Sequence, residues 1–157
     1  MPSAETLDAI FKAYDVRGLV DSQLDEDTVR AIGAAAARVL VDDGGAVVIG
    51  HDMRPSSRPL VEAFADGVTS QGVDVIDIGL ASTDMLYYAS GELDAAGAMF
   101  TASHNPPTYN GIKFCRAGAQ PVSTDTGLAE IRDLAKQGVP EPVADRGSVR
   151  QEDVLDR

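Results

Sequence analysis

Short apolar runs alternate along the chain with stretches whose apolar residues return every three to four positions, and this alternation restricts the fold to the α/β class. Residues 46–49 are apolar throughout and lie between glycines, the pattern of a strand covered on both faces. Residues 73–78, 96–100 and 112–115 read as further strands. Between them, Asp25 is placed to cap a helix running to about residue 41, in which Val29, Ile32, Ala36, Val39 and Leu40 recur near the helical period. A second helix spans about 58–71, with Leu60, Val61, Phe64 and Val68 on one side and Gly72 to stop it. Thr83 or Asp84 can cap a short helix through Met85, Leu86 and Tyr88. A last helix, about 126–136, turns Leu128, Ile131, Leu134 and Ala135 inward. The expected architecture is a three-layer α/β/α domain with a mixed, largely parallel sheet.

In such sheets ligands gather at the carboxyl ends of the strands. Three loops qualify: those after Gly50, Gly79 and Phe100. At 157 residues the chain fits one domain. Its tail differs in character from the rest. Ser148 and Gln151 have the spacing of a capping box and predict a helix continuing through Val154 and Leu155. The expected division is therefore a domain over 1–147 and the start of a linker or helix over 148–157. A helix that opens so close to the last residue implies that the chain is part of something longer.

A formal charge of −12 excludes a nucleic-acid or anionic-membrane surface as the expected partner, because both require clustered Lys and Arg. The 13 basic residues are nevertheless unevenly placed. Lys12, Arg17, Arg54, Arg58, Lys113 and Arg116 lie in or beside three segments punctuated by Gly and Pro, as a small anionic ligand would require. The single Cys115 leaves neither an intrachain disulfide nor a Cys-based zinc site, and it reads as a small apolar strand residue. No apolar run approaches the roughly 18 residues of a membrane span, and Glu5 and Asp8 stand where a signal peptide would be basic and then apolar. The expected location is cytoplasmic.

The segment T-A-S-H-N-P-P at 101–107 is the most specific feature. It follows a buried-type strand and ends in two prolines, which hold the backbone extended and display Ser103 on a loop. Ser103 reads either as a nucleophile or as part of a plain turn, since Ser, Asn and Pro are common turn formers. His104 is poorly placed to deprotonate it, because adjacent residues of an extended chain point to opposite sides.

The longer segment T-A-S-H-N-P-P-T-Y-N-G-I-K at 101–113 resembles the phosphoserine loop of the α-D-phosphohexomutases, the phosphoglucomutase and phosphomannomutase enzymes. Two more segments agree with that family in the same order: K-A-Y-D-V-R-G at 12–18 and G-H-D-M-R-P-S-S at 50–57. The resemblance runs from Phe11 to about residue 145 and implies the family's domain I fold. It further implies a reaction that interconverts hexose 1-phosphates and 6-phosphates, of mannose, glucose or both, through a bisphosphorylated intermediate. Ser103 would carry the transferred phosphoryl group. Lys113 would be the general acid/base, Arg17 its assistant, and His104 would either shape the loop or touch the phosphoryl group. Tyr14, Arg54, Asn105 and Asn110 would bind substrate or phosphate, with Arg54 alternatively held in an ion pair to Asp15 or Asp52 and Tyr14 and Asn110 alternatively serving only in packing. Family members use Mg²⁺, held partly through the phosphate on the serine, and a hexose 1,6-bisphosphate activator.

The Asp-Gly-Asp-x-Asp loop that supplies the family's other Mg²⁺ ligands is absent from this sequence, as are the later sugar-recognition and phosphate-gripping loops. The resemblance therefore implies a phosphoryl carrier that partners a phosphosugar and further domains of the same protein, and that does not turn over alone. Two other classes compete. A serine-dependent phosphatase or hydrolase lacks its G-x-S-x-G elbow here, and a non-catalytic ligand-binding domain would share the fold.

Overall fold

Continuous apolar strands can be buried only if helices cover both faces of their sheet. The computed structural model describes residues 3–42, 45–102, 104–138 and 141–152. In chain order they form α1 (Ala4–Ile10), β1 (Val16–Leu19), α2 (Glu26–Leu40), β2 (Ala46–His51), α3 (Ser57–Ser70), β3 (Asp74–Leu80), α4 (Thr83–Leu93), β4 (Ala96–Phe100), β5 (Tyr109–Arg116), β6 (Gln120–Pro121), a 3₁₀ turn (Thr124–Thr126), α5 (Leu128–Gln137) and β7 (Val149–Gln151). The sheet has the order β1-β5-β4-β2-β3-β7, with β6 paired to β5. β2 runs parallel to both β3 and β4, β7 runs parallel to β3, and β5 is antiparallel to its neighbours β1, β4 and β6.

The chain steps from β2 to β3 in one direction and returns past β2 to β4 in the other. Right-handed crossovers then put α3 and α4 on opposite faces. Side chains sort accordingly. Val47, Ile49, Val75, Ala98, Phe100, Ile112 and Phe114 point into the larger core, which also takes residues of α1, α2, α3 and α5. Val48, Ile76, Ile78, Met99 and Cys115 form the smaller core beneath Leu86 and Ala89 of α4. Strand alternation produces the division directly.

Local signals set the helix ends. Asp25 accepts a hydrogen bond from Thr28 N at 2.7 Å and starts α2. α4 is capped one residue earlier than the sequence suggested, by Ser82, whose Oγ accepts from Met85 N at 3.1 Å. Between α2 and α3 the backbones approach so closely that a Cβ on Gly67 would collide with the Arg30 carbonyl.

The tail departs from expectation. Val149–Gln151 is a strand, β7, and not the opening of a helix. Ser148 does not cap: its backbone N–H donates to Asp74 Oδ1 at 2.9 Å, which starts the pairing with β3. The approach to β7 is anchored by Val143 N to Ser70 O at 2.8 Å and Gly147 N to Thr69 O at 2.9 Å. Val154 and Leu155 lie outside the described residues.

Candidate active site

Register brings the three motif segments of the sequence to one end of the sheet. His51 pairs with Phe100, so β2 and β4 end together, and Asp52 N donates to Phe100 O at 3.0 Å. Thr101 N donates to Gly111 O at 3.0 Å, which ties the next loop to the start of β5. Arg17 of β1 lies opposite Gly111. By alternation, Arg17 and Lys113 are on the same face of the sheet, the face that α4 covers elsewhere. Gly111 matters here for its missing side chain: a Cβ would sit 2.8 Å from Arg17 Cγ and would also collide with the Val16 carbonyl.

Ser103 lies outside the described residues, and its neighbours define the site around it. Two arginines converge on Asn105. Arg17 Nη1 donates to Asn105 Oδ1 at 3.3 Å, while its Nε lies 3.1 Å from the carboxylate of Asp15. Arg54 Nη2 donates to Asn105 O at 2.8 Å, and Arg54 Nη1 donates to Pro106 O at 2.7 Å and Tyr109 O at 3.1 Å. Arg54 Nε completes an ion pair with Asp52 at 3.1 Å. Of the two acids that sequence offered as partners for Arg54, Asp52 is the one used, and Asp15 serves Arg17.

Asp52 is a hub. Burial alone would push its carboxyl upward, but hydrogen bonds from Arg54 N, Thr101, Ser57 Oγ and the Arg54 guanidinium outweigh that and hold it below its ordinary value. A depressed value means that ionised Asp52 stabilises the fold above the unfolded carboxyl range, about 3.9, and that this stabilisation is lost as pH falls through the lower folded value. Asp52→Asn is therefore expected to melt several degrees below wild type near neutral pH. The gap should close as thermal scans are taken from pH 5 down into strong acid; a gap that widened there would contradict the assignment.

The remaining candidates divide sharply. His104 is exposed, Lys113 is half-buried, and Tyr14 is 77% exposed. Asn110 is fully buried: its Nδ2 donates to Ser56 Oγ and Ser57 Oγ, each at 3.0 Å, and its Oδ1 accepts from Gly111 N at 2.8 Å. The expected contact of Asn110 with substrate is thereby corrected, since its polar atoms are used up inside the protein and hold the start of α3 to β5. Arg58 and Arg116 also leave the expected cationic cluster. Arg58 is spent on buried Asp77 at 2.7 Å, and Arg116 donates to Thr126 O at 2.8 Å. Burial pushes the Cys115 thiol up, which makes it a poor nucleophile.

Sequence reasoning did not single out Ser57 or Thr101, and it offered Asp15 only as a partner for Arg54. A signal existed: Asp15-Val16-Arg17 and Asp52-Met53-Arg54 share the Asp-x-Arg spacing that puts both side chains of an extended stretch on one side.

Beside the loop, Lys12, Arg17, Gln23, Asn105 and Tyr109 line a cleft of about 560 Å³. Two cations and amide groups suit it to an anion. Mg²⁺ requires an octahedron of oxygen ligands. Among the described residues no group of three or more His, Cys, Asp or Glu side chains is gathered to hold a metal, and Asp15 and Asp52 are each committed to an arginine. These residues by themselves do not make a magnesium site.

Comparison with known proteins identifies the family. Residues 8–140 match the family model described as phosphoglucomutase/phosphomannomutase, alpha/beta/alpha domain I. Phosphohexose mutases of Xanthomonas campestris pv. campestris are 52% identical over 124 residues, which is 78% of this chain and 27% of theirs. A phosphomannomutase of Klebsiella pneumoniae is 45% identical over 148 residues, 92% of this chain and 93% of its own. The crystal structure of a phosphoglucomutase/phosphomannomutase family protein from Burkholderia thailandensis superposes with a TM-score of 0.84 at 35% identity, covering 99% of this chain and 34% of that one. The chain belongs to the phosphoglucomutase/phosphomannomutase family and has its domain I fold. It spans 27% of the length of the Xanthomonas relatives.

Proposed function

We propose that the chain is the phosphoryl-carrying domain of a phosphohexomutase and that Ser103 Oγ is the carrier. The observation that supports this most is the convergence of Arg17 and Arg54 on Asn105, two residues beyond that serine. Phosphoryl transfer depends mainly on in-line positioning and neutralisation of charge, and a loop fixed between two guanidinium groups at the end of a central strand contributes to both.

In the forward step a hydroxyl of the hexose monophosphate attacks the phosphorus. The new O–P bond forms as the bond to Ser103 Oγ breaks, and the product is a hexose bisphosphate and a free serine. The hydroxyl proton passes to Lys113 and on to Ser103 Oγ, so charge and protons balance. The bisphosphate then returns its other phosphoryl group to the serine by the reverse chemistry. Arg17 retains guanidinium hydrogens beyond those given to Asp15 and Asn105, and on this reading they meet developing phosphoryl charge. Tyr14 and His104 are exposed and free to meet a sugar on this reading. Mg²⁺, where bound, supplies further neutralisation of the phosphoryl oxygens. On this reading the 157 residues alone accept a phosphoryl group but do not interconvert hexose 1-phosphate and 6-phosphate.

The test is phosphorylation of the chain by glucose or mannose 1,6-bisphosphate with Mg²⁺, followed by mass spectrometry of intact protein and peptides. A single phosphoryl group on Ser103 with release of hexose monophosphate is expected. Labelling at another residue, or none, would remove the carrier role, and steady release of inorganic phosphate would favour a hydrolase. Arg17→Ala should slow labelling by about 10²-fold, the usual cost of one preorganised donor to a developing anion.

A further inference from the structure

We infer that Arg54 is the positioning residue of the 101–109 loop, acting on the loop's backbone and not on the ligand. The inference rests on the reading of Ser103 as carrier only for its consequence on phosphoryl transfer; the positioning itself rests on geometry. Pro106 and Pro107 bring no N–H, so this loop is short of donors with which to build a ladder of its own. The Arg54 guanidinium replaces them. Its fork donates to three loop carbonyls, Asn105 O, Pro106 O and Tyr109 O, at 2.7–3.1 Å, and its Nε is held by Asp52.

The side chain is only 11% exposed. A ligand could take these donors only by displacing the loop. The anchor is itself anchored: Ser57 Oγ donates to Asp52 Oδ1 at 2.9 Å and also accepts from buried Asn110 Nδ2, so the loop is referenced through Arg54 to the first turn of α3 and to β5. Arginine suits this task and lysine does not, because one ammonium nitrogen cannot span three carbonyls and a carboxylate in a fixed plane.

Two measurements on the same chain test the inference. In the first, amide hydrogen exchange is followed by NMR in wild type, Arg54→Lys and Arg54→Ala without ligand. The amides of Asn105 and Tyr109, which donate to Ala102 O and Pro106 O, should exchange at least about tenfold faster in both variants, while those of 47–49 and 96–100 keep their protection, as a local opening requires. Loop amides that stay as protected as in wild type would overturn the inference. In the second, labelling from hexose 1,6-bisphosphate is timed across concentrations. The maximal rate should fall by about 10²-fold, the cost of roughly 1 Å of misplacement, with the half-saturating concentration changed little.

An unchanged maximal rate with weaker saturation would instead make Arg54 a ligand contact. Should wild type take no phosphoryl group on Ser103, the carrier reading fails while the exchange experiment still decides the role of Arg54. Arg54→Lys keeps the charge beside Asp52 and decides the matter if Arg54→Ala does not fold.

Discussion

Ser103→Ala is expected to fold as wild type does and to take up no phosphoryl group from a hexose 1,6-bisphosphate, a loss of at least about 10³-fold in labelling rate if the hydroxyl is the nucleophile. The change removes one oxygen and adds no volume. Among the described residues, contacts that fix the surrounding segment run through Asn105, Pro106, Tyr109 and Arg54. The hydroxyl of Ser57 is no substitute, because it is buried and hydrogen-bonded to both Asp52 and Asn110. A time course of intact mass checks the prediction, and near-ultraviolet circular dichroism checks the fold. Label that persisted on the variant at a comparable rate would move the carrier elsewhere. In a full-length relative the same change should abolish interconversion of the hexose phosphates.

The second large effect concerns stability. Phe64 of α3 is fully buried, packs edge-on against Phe100 with centroids 5.3 Å apart, and lies 6.0 Å from Phe114. Phe64→Ala is expected to cost about 3–5 kcal/mol, the range for removing a buried aromatic ring. For a chain of this size that corresponds to a fall of about 6–20 °C in the thermal midpoint. Urea unfolding with an unchanged slope measures it directly, and a loss below about 1 kcal/mol would mean that the ring is not part of the packed core. The location adds a functional corollary. Phe100 is the last residue of β4, so the cavity opens beneath the 101–109 loop and labelling should slow even where the variant remains folded.

Elements with a strong local pattern were legible from sequence. β2, β4, α2 and α3 follow from uninterrupted apolar runs or from apolar residues at the helical period, with Asp25 as a readable cap. α1 was not legible because seven residues with two buried positions, Leu7 and Ile10, are too few to show a period. β5 begins at Tyr109, earlier than its apolar run, since Asn110 and Gly111 look like turn residues until β1 is seen to pair with them. The tail misled for a related reason. The spacing of Ser148 and Gln151 imitates a helix start, whereas the outcome was set by Asp74 and the open edge of β3, 74 residues away.

The same contrast holds at the site. Motif residues identified the 101–113 segment, but hydrogen-bond partners are fixed by register between strands distant in sequence. Asn110 therefore looked available for a ligand and is enclosed, while Asp52, offered only as a partner for Arg54, organises the loop.

Gly111 leaves a lasting imprint on how defects in this region would appear. It has no side chain, yet it lies under the Arg17 side chain, against the Val16 carbonyl, and its own carbonyl receives Thr101 N. Adding a single methyl group there would push three backbone segments apart together. A biochemist screening variants would record an inactive protein with every reactive side chain still in place, and would be looking at a fault of alignment in a residue that contributes no chemistry of its own.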